Sequence, residues 1–415
     1  MGLGPSIKMT TLHHYRCPVT SEFSKAEDFE YRGIIVDGVS EVCDDKIYTA
    51  KRVGDLAQLM RVDGAIVAID GWGNHHVDFV NVIEQLGIRG IPSVGLSYIG
   101  QQGRLVCTNN YVDCVVDFNK NASGYESCVV GDNNLTECDA MKAVALLRNK
   151  LKRSGKYIEP DGSEGEKVLR RLTRKVFEIK EVKFGDKTSI DRGVLALRKG
   201  IESGYAESES RIKEIKVEII KPGEYDFFVN SNLDYFPIAC KIRGELGEGV
   251  THLISGVTVM ITGVEDKSGF QPSNIGSSEG ILREQMVPDR AGTPASSDYI
   301  LHVDFLFEEG EGRTSDGIMA AHRVTDQIVR EIRTELAKVE NMPYKREEFY
   351  DMSKPNKCKI IQVKIVSGLG NMYDSAMFPY EPAGFVGSHN MMDSKNVPYV
   401  MTPNQGRDGA IHSLL

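Results

Sequence analysis

The chain has 415 residues, 41% hydrophobic and 26% charged, a balance that supports a sizeable buried core divided over two or three domains. With 50 basic against 59 acidic residues the formal charge is −9, and no basic block interrupts it, so nucleic acid is excluded as an expected partner. No apolar run approaches the roughly 18 residues a bilayer span needs, and no secretory pattern opens the sequence, so a cytoplasmic protein without membrane contact is expected. The 8 cysteines include no CxxC pair, which points to free thiols and to no metal site.

Taken in chain order, residues 33–39 (GIIVDGV) and 64–70 (GAIVAID) are short apolar runs bounded by Gly and Asp. Apolar positions recur at helical spacing over 49–61 and again over 77–87. A further run at 92–98 (PSVGLSY) and a helix over 136–153, opened by the capping box Thr136-x-x-Asp139, complete residues 1–152 as an open parallel α/β layer. Over 153–172 the composition shifts to Lys, Gly, Pro, Ser and Glu, and a linker is expected.

Residues 173–311 read as a β-rich, antiparallel second domain, from β-branched stretches at 177–198, 212–220, 239–244 and 251–263 that Gly and Pro interrupt. A long amphipathic helix is predicted over 312–340, followed by buried-strand runs at 359–366 and 398–402. On pattern alone, the closing segment 312–415 either forms its own layer or completes the sheet of residues 1–152.

Two constellations stand out as candidate chemistry. Asp70-Gly71-Trp72-Gly73-Asn74-His75-His76 follows a strand and opens a helix, where open α/β sheets bind ligands because glycines let the backbone approach. A tight turn with a solvated histidine explains the same residues, and neighbouring imidazoles point apart, so no metal is assigned there. Thr10-Thr11-Leu12-His13-His14-Tyr15 gathers hydroxyls, two imidazoles and a phenol, the groups of general acid–base work if they face a cleft. The glycine-rich 244–252 lacks the Gly-Lys-Ser/Thr ending of a phosphate loop and reads as a β-turn.

Longer stretches resemble a known family. FEIKEVKFGDK at 177–187, GELGEGVTHLISGV at 244–257, GSSEG at 276–280, AAHRVTD at 320–326 and DGAIHSLL at 408–415 look like the N-terminal part of the proprotein of the glycine/sarcosine/betaine/D-proline reductase family, in its D-proline branch. TTLHHY at 10–15, DGWGNHHVDF at 70–79, EQLGIRGIPSVGLSY at 84–98 and segments near 129–150 look like its C-terminal part. The order is reversed, so the resemblance implies a chain circularly permuted at the family's processing point. It also implies that the strands at 359–366 and 398–402 join the sheet of residues 1–152 in one composite α/β domain.

In the family, the resemblance implies, a cysteine becomes an N-terminal pyruvoyl group whose carbonyl condenses with the substrate amine. A selenol or thiol of a partner subunit then displaces the nitrogen. Gly2 stands at the cysteine's position and has no side chain to eliminate, so that route to the cofactor is closed here. The implied site comprises Gly2, His13, His14 and His412 as catalytic residues, with Gly2 as carbonyl or amine locus and the histidines moving protons. Asp70, Gly71, Gly73, His75, Asp374 and Asp408 would bind the substrate, the aspartates holding its ammonium. The expected partners are a redox-active selenoprotein or thiol subunit and a small amino acid, in an oligomeric assembly. The alternative is a non-catalytic paralogue serving as scaffold or regulator.

Overall fold

The computed structural model describes residues 10–39, 43–69, 75–99, 105–122, 129–159, 165–266, 279–312, 315–366 and 398–412. Strand β1 (Phe29–Gly38) is apolar on both sides, with Ile34 and Val36 facing one core and Ile35 the other. A strand of that kind belongs inside a sheet covered on both faces. It pairs in parallel with the strand Cys358–Val366 and antiparallel with the short edge strand Tyr399–Met401. Beyond Cys358–Val366 the sheet continues in parallel through β2 (Gly64–Ile69), β3 (Ser93–Ser97) and β4 (Val115–Asp117). A strand from the end of the sequence thus lies between two strands from its beginning.

Helices α1 (Thr11–Tyr15) and α2 (Pro18–Lys25) precede this sheet, and α2 packs on one of its faces. The helices α3 (Cys43–Leu59) and α4 (His75–Ile88) cover the other face, and α5 (Glu137–Arg153) returns to the first. In α5 the Thr136 hydroxyl accepts the Asp139 N–H while the Asp139 carboxylate accepts the Thr136 N–H at 3.0 Å, the reciprocal cap that the sequence predicts. Its Ala140, Ala143, Val144, Leu147 and Leu151 form the buried stripe. Among the described residues no helix is long and apolar enough to cross a membrane.

The remaining strands of the described residues form two four-stranded sheets, a three-stranded one and a two-stranded one. They are mixed, not purely antiparallel as the sequence suggested, because Gly249–Ser255 runs parallel to Lys167–Glu178 and Val257–Glu265 parallel to Tyr299–Phe307. Parallel and antiparallel pairing bury the same β-branched runs, so composition does not separate them.

The long helix, Ser315–Ala337, does not join the strands that follow it. It packs Ala321, Val324, Ile328, Ile332 and Leu336 against Leu301, Phe305 and Phe307 of this β-rich half. The N-terminal sheet already has helices on both faces, whereas this one has an apolar face to cover. The expected linker also contains the start of the strand Lys167–Glu178. Its basic residues are accommodated by cross-strand ion pairs of Arg171 with Glu348 and Arg174 with Glu347.

Candidate functional site

Helix α1 has five residues and is too short to persist alone, so neighbouring elements hold it. The Thr11 N–H and hydroxyl both donate to the Asp234 carboxylate of the β-rich half, at 2.9 and 2.5 Å. Thr10, the N-cap, accepts the His13 N–H at 3.2 Å and donates to the Gly292 carbonyl at 2.7 Å. A Cβ on Gly292 would lie 2.7 Å from Asn134 Oδ1 and 3.1 Å from His13 Cβ, so glycine there permits the close approach. These contacts set His13 and His14 against the carboxyl-terminal end of the sheet.

The strand Cys358–Val366 meets them there. Its Ile361, Val363 and Ile365 face α3 and α4, which turns Gln362 and Lys364 to the opposite face. Lys364 is 8% exposed and has no carboxylate partner among the described residues. With His13, His14, Cys17 and Gln362 it lines one cavity, and with His14, Met401, Ile411 and His412 another. The cavities measure about 20 and about 10 Å³, roughly the room of one water each.

Burial, reinforced by the Lys364 charge, lowers the His13 and His412 imidazoles to about 3 and holds His14 well below its ordinary value. All three are neutral at pH 7. His13 Nε2 and both His412 nitrogens have no hydrogen-bond partner among the described residues. The cluster therefore combines one positive charge with neutral imidazoles, of which His13 and His412 still have hydrogen bonds to make among the described residues, a setting suited to an anionic group beside a proton donor.

His75 does not belong to this cluster. It opens α4 on the opposite face of the sheet, buried, and is lowered to about 3 by burial and by Lys46. There Lys46 and Asp78 form a fully buried ion pair beside Asp37, whose carboxyl is pushed up by burial and by the Asp78 charge. His76, its neighbour in the motif for which the sequence also allowed a solvated histidine, is likewise buried, with Nε2 3.1 Å from Ser97 Oγ and Nδ1 accepting the Val106 N–H at 3.2 Å.

Asp408 has a different role from the one the resemblance implied. Its carboxylate pairs with Lys241 at 2.6 Å and accepts the Gly247 N–H at 2.9 Å and the Thr251 hydroxyl at 2.8 Å. With these bonds and that from the Ala410 N–H at 3.3 Å, its four acceptor sites are filled and none is left for a substrate ammonium, and it instead anchors the end of the chain to the β-rich half. Gly2, Asp70, Gly71, Gly73 and Asp374 lie outside the described residues. Of the expected residues, the structure brings together His13, His14 and His412.

Sequence reasoning missed Lys364, Cys17 and the Lys46–Asp78 pair. Gln362 and Lys364 do leave a trace, as two polar residues two apart in an otherwise apolar strand, which places both on one face. Among the described residues no cluster of His, Cys, Asp and Glu is arranged to hold a metal.

A family model described as glycine/sarcosine/betaine reductase component B subunits matches residues 3–128 and 170–278, more than half of the chain. The protein belongs to this reductase component B family. The D-proline reductase proprotein of Acetoanaerobium sticklandii is 35% identical over 250 residues, covering 60% of this chain and 40% of that one. The glycine reductase complex component B subunits alpha and beta of the same organism are 26% identical over 253 residues, 57% of this chain and 54% of the relative. The sarcosine reductase complex component B subunit alpha of Peptoclostridium acidaminophilum is 25% identical over 258 residues, with 58% and 54% covered. The chain thus spans about half the length, or less, of these curated relatives, and no solved structure matches it.

The pyruvoyl group that the family implies does not fit the residues of this component B relative. The resemblance implies Gly2 at the position of its cysteine precursor. The side chains gathered at the sheet end are an amine, imidazoles, a thiol and an amide, which are nucleophiles, bases and hydrogen-bonding groups.

Proposed function

We propose that this protein is a component of a reductive amino-acid system that cleaves a C–N bond, working with a partner subunit that carries a selenol or thiol. The observation that carries the reading is the cluster of Lys364 with the neutral imidazoles of His13, His14 and His412 at the sheet end. An amino-acid carboxylate is drawn to the Lys364 charge, which has no carboxylate partner among the described residues, while its amine N–H finds acceptors in the imidazole nitrogens of His13 and His412. The small cavities require the surrounding side chains to move apart on binding. In the overall step the C–N bond breaks, the nitrogen leaves with a proton as ammonia or amine, the carbon takes a proton in its place, and the two electrons come from a selenol–thiol or dithiol pair of the partner, which ends as a selenosulfide or disulfide.

Gly2 in place of cysteine favours a second reading, in which the chain keeps the fold and partner surface as a non-catalytic scaffold. Ligand-observed NMR with D-proline, glycine, sarcosine and betaine separates the two. The reductase reading expects saturation transfer to at least one of them from the wild type, and a weakening of about tenfold or more in His13→Asn/His412→Gln. Absence of binding by all four leaves the scaffold.

A further inference from the structure

Cys17 stands on the partition between two spaces. On one side lies the Lys364 cluster; on the other is a cleft of about 780 Å³ between the α/β and β-rich halves, walled by Arg16, Arg174, Tyr344, Lys345 and Arg407. The residue is the N-cap of α2, at the positive end of that helix. The Gln362 carbonyl oxygen already accepts hydroxyls from Thr20 at 3.0 Å and Tyr31 at 3.2 Å. That orientation turns the amide N–H toward Cys17 Sγ, 3.5 Å away. Lys364, nine-tenths buried and without a carboxylate partner among the described residues, faces the same cavity, as does the unpartnered Nε2-bearing ring of His13.

The cleft side indicates what reaches this sulfur. Arg16 donates to the Thr293 carbonyl at 3.2 Å, and Arg407 to the Thr20 carbonyl at 2.8 Å and to Ser24 Oγ. Neither has a carboxylate within ion-pair distance among the described residues. The cleft's own carboxylates are engaged: Glu347 with Arg174 and Lys345, Glu178 with Lys180, and Asp298 with Thr258 and the Ala295 N–H. Two guanidinium groups therefore remain for an anionic visitor.

We propose that Cys17 is a nucleophilic thiolate that takes a carboxylate-bearing disulfide from the cleft, with Lys364 as its positioning residue. The Cys17 sulfur attacks one sulfur of the disulfide, the S–S bond breaks, and the second sulfur leaves as a thiolate. Cys17 is left in a mixed disulfide, and the disulfide is both the oxidant and the source of the leaving group. Burial works to raise the thiol, but the Lys364 charge and hydrogen bonds from Thr20 and Gln362 outweigh it and bring it down to about 7. The inference does not depend on the amino-acid reading.

The test treats the full chain with 5,5′-dithiobis(2-nitrobenzoate), a dicarboxylate disulfide, and with uncharged 4,4′-dithiodipyridine, and locates the modified cysteines by peptide mass spectrometry. The exposed Cys43 and Cys138 serve as references in the same molecule. Cys17 should outpace them with the anionic reagent by about tenfold, lose most of that advantage with the neutral one, and show a rate profile inflecting near pH 7. Lys364→Met should move the inflection upward by about one unit, and Lys364→Arg should restore it. An unmodified Cys17 while Cys43 and Cys138 react overturns the proposal, as does a profile that Lys364→Met leaves unchanged. If Lys364→Met fails to fold, the comparison of the two reagents on the wild type still decides the matter.

Discussion

Asp234 Oδ1 accepts the Thr11 N–H at 2.9 Å and Oδ2 accepts the Thr11 hydroxyl at 2.5 Å, so a carboxylate of the β-rich half holds the first turn of the helix that carries His13 and His14. Asp234→Ala leaves both buried donors without an acceptor and is expected to cost about 2–3 kcal/mol in urea unfolding. Burial raises the Asp234 carboxyl to about 7, against the bonds from Thr11 and Tyr235. Between the unfolded value near 3.8 and that point, the folded state holds the extra proton, so this group's contribution falls as pH rises through the window. Asp234→Asn should remove that slope.

The buried imidazoles act in the opposite direction. His13, His75 and His412 fall from 6.5 to about 3 on folding, so the unfolded chain binds their protons first. Their contribution is complete above 6.5 and is lost as pH falls toward 3, at about 1.4 kcal/mol per unit for each group. The raised carboxyls of Asp37, Asp234 and Asp351 oppose them, but the lowered imidazoles of His14, His76, His252 and His322 add to the same side and tip the balance. Urea midpoints should therefore drop steeply below pH 6.5, and His412→Gln should lessen the drop by one proton's worth.

Lys46 and Asp78 form an ion pair with both side chains almost fully buried. Lys46→Met leaves the Asp78 carboxylate in the core without its cation and is expected to cost about 3–5 kcal/mol. The double variant Lys46→Met/Asp78→Leu removes both charges and should recover most of that loss. Thermal unfolding of the three proteins measures the difference.

The chemistry of Gly2 makes a separate prediction. A hydrazine that traps reactive carbonyls should add to no residue of this chain, and any adduct in a native complex should appear on another subunit. Intact-mass and peptide-level mass spectrometry read the result. An adduct on residue 2 would show that glycine at that position acquires a carbonyl by a route other than side-chain elimination.

The strands and helices were legible where burial is periodic. The strands Phe29–Gly38, Gly64–Ile69, Ser93–Ser97 and Cys358–Val366 fall on apolar runs of the sequence because both their faces are covered, and Thr136 with Asp139 marks a helix start by chemistry that is local in sequence. What sequence did not reveal depends on pairing across long distances. Nothing local to Gly249–Ser255 says that its neighbour Lys167–Glu178 runs parallel, and the apolar stripe of Ser315–Ala337 does not name the sheet it covers. The same holds for the site: the imidazoles of TTLHHY were visible as a group, whereas Lys364 joins them only through the fold. A carboxylate near a site looks the same in sequence whether it meets a ligand or, as Asp408 does, pairs with the half-buried Lys241.

The central claim is tested most directly by incubating the native complex isolated with this chain, in the presence of a dithiol, with D-proline, glycine, sarcosine and betaine labelled with ¹³C and ¹⁵N at the reacting bond. Nuclear magnetic resonance then follows the one-bond carbon–nitrogen coupling. The account predicts that the coupling disappears for at least one of the four, and that a complex carrying His13→Asn/His412→Gln loses the reaction while remaining assembled. Coupling that persists for all four, or cleavage that the double variant leaves unchanged, would contradict it.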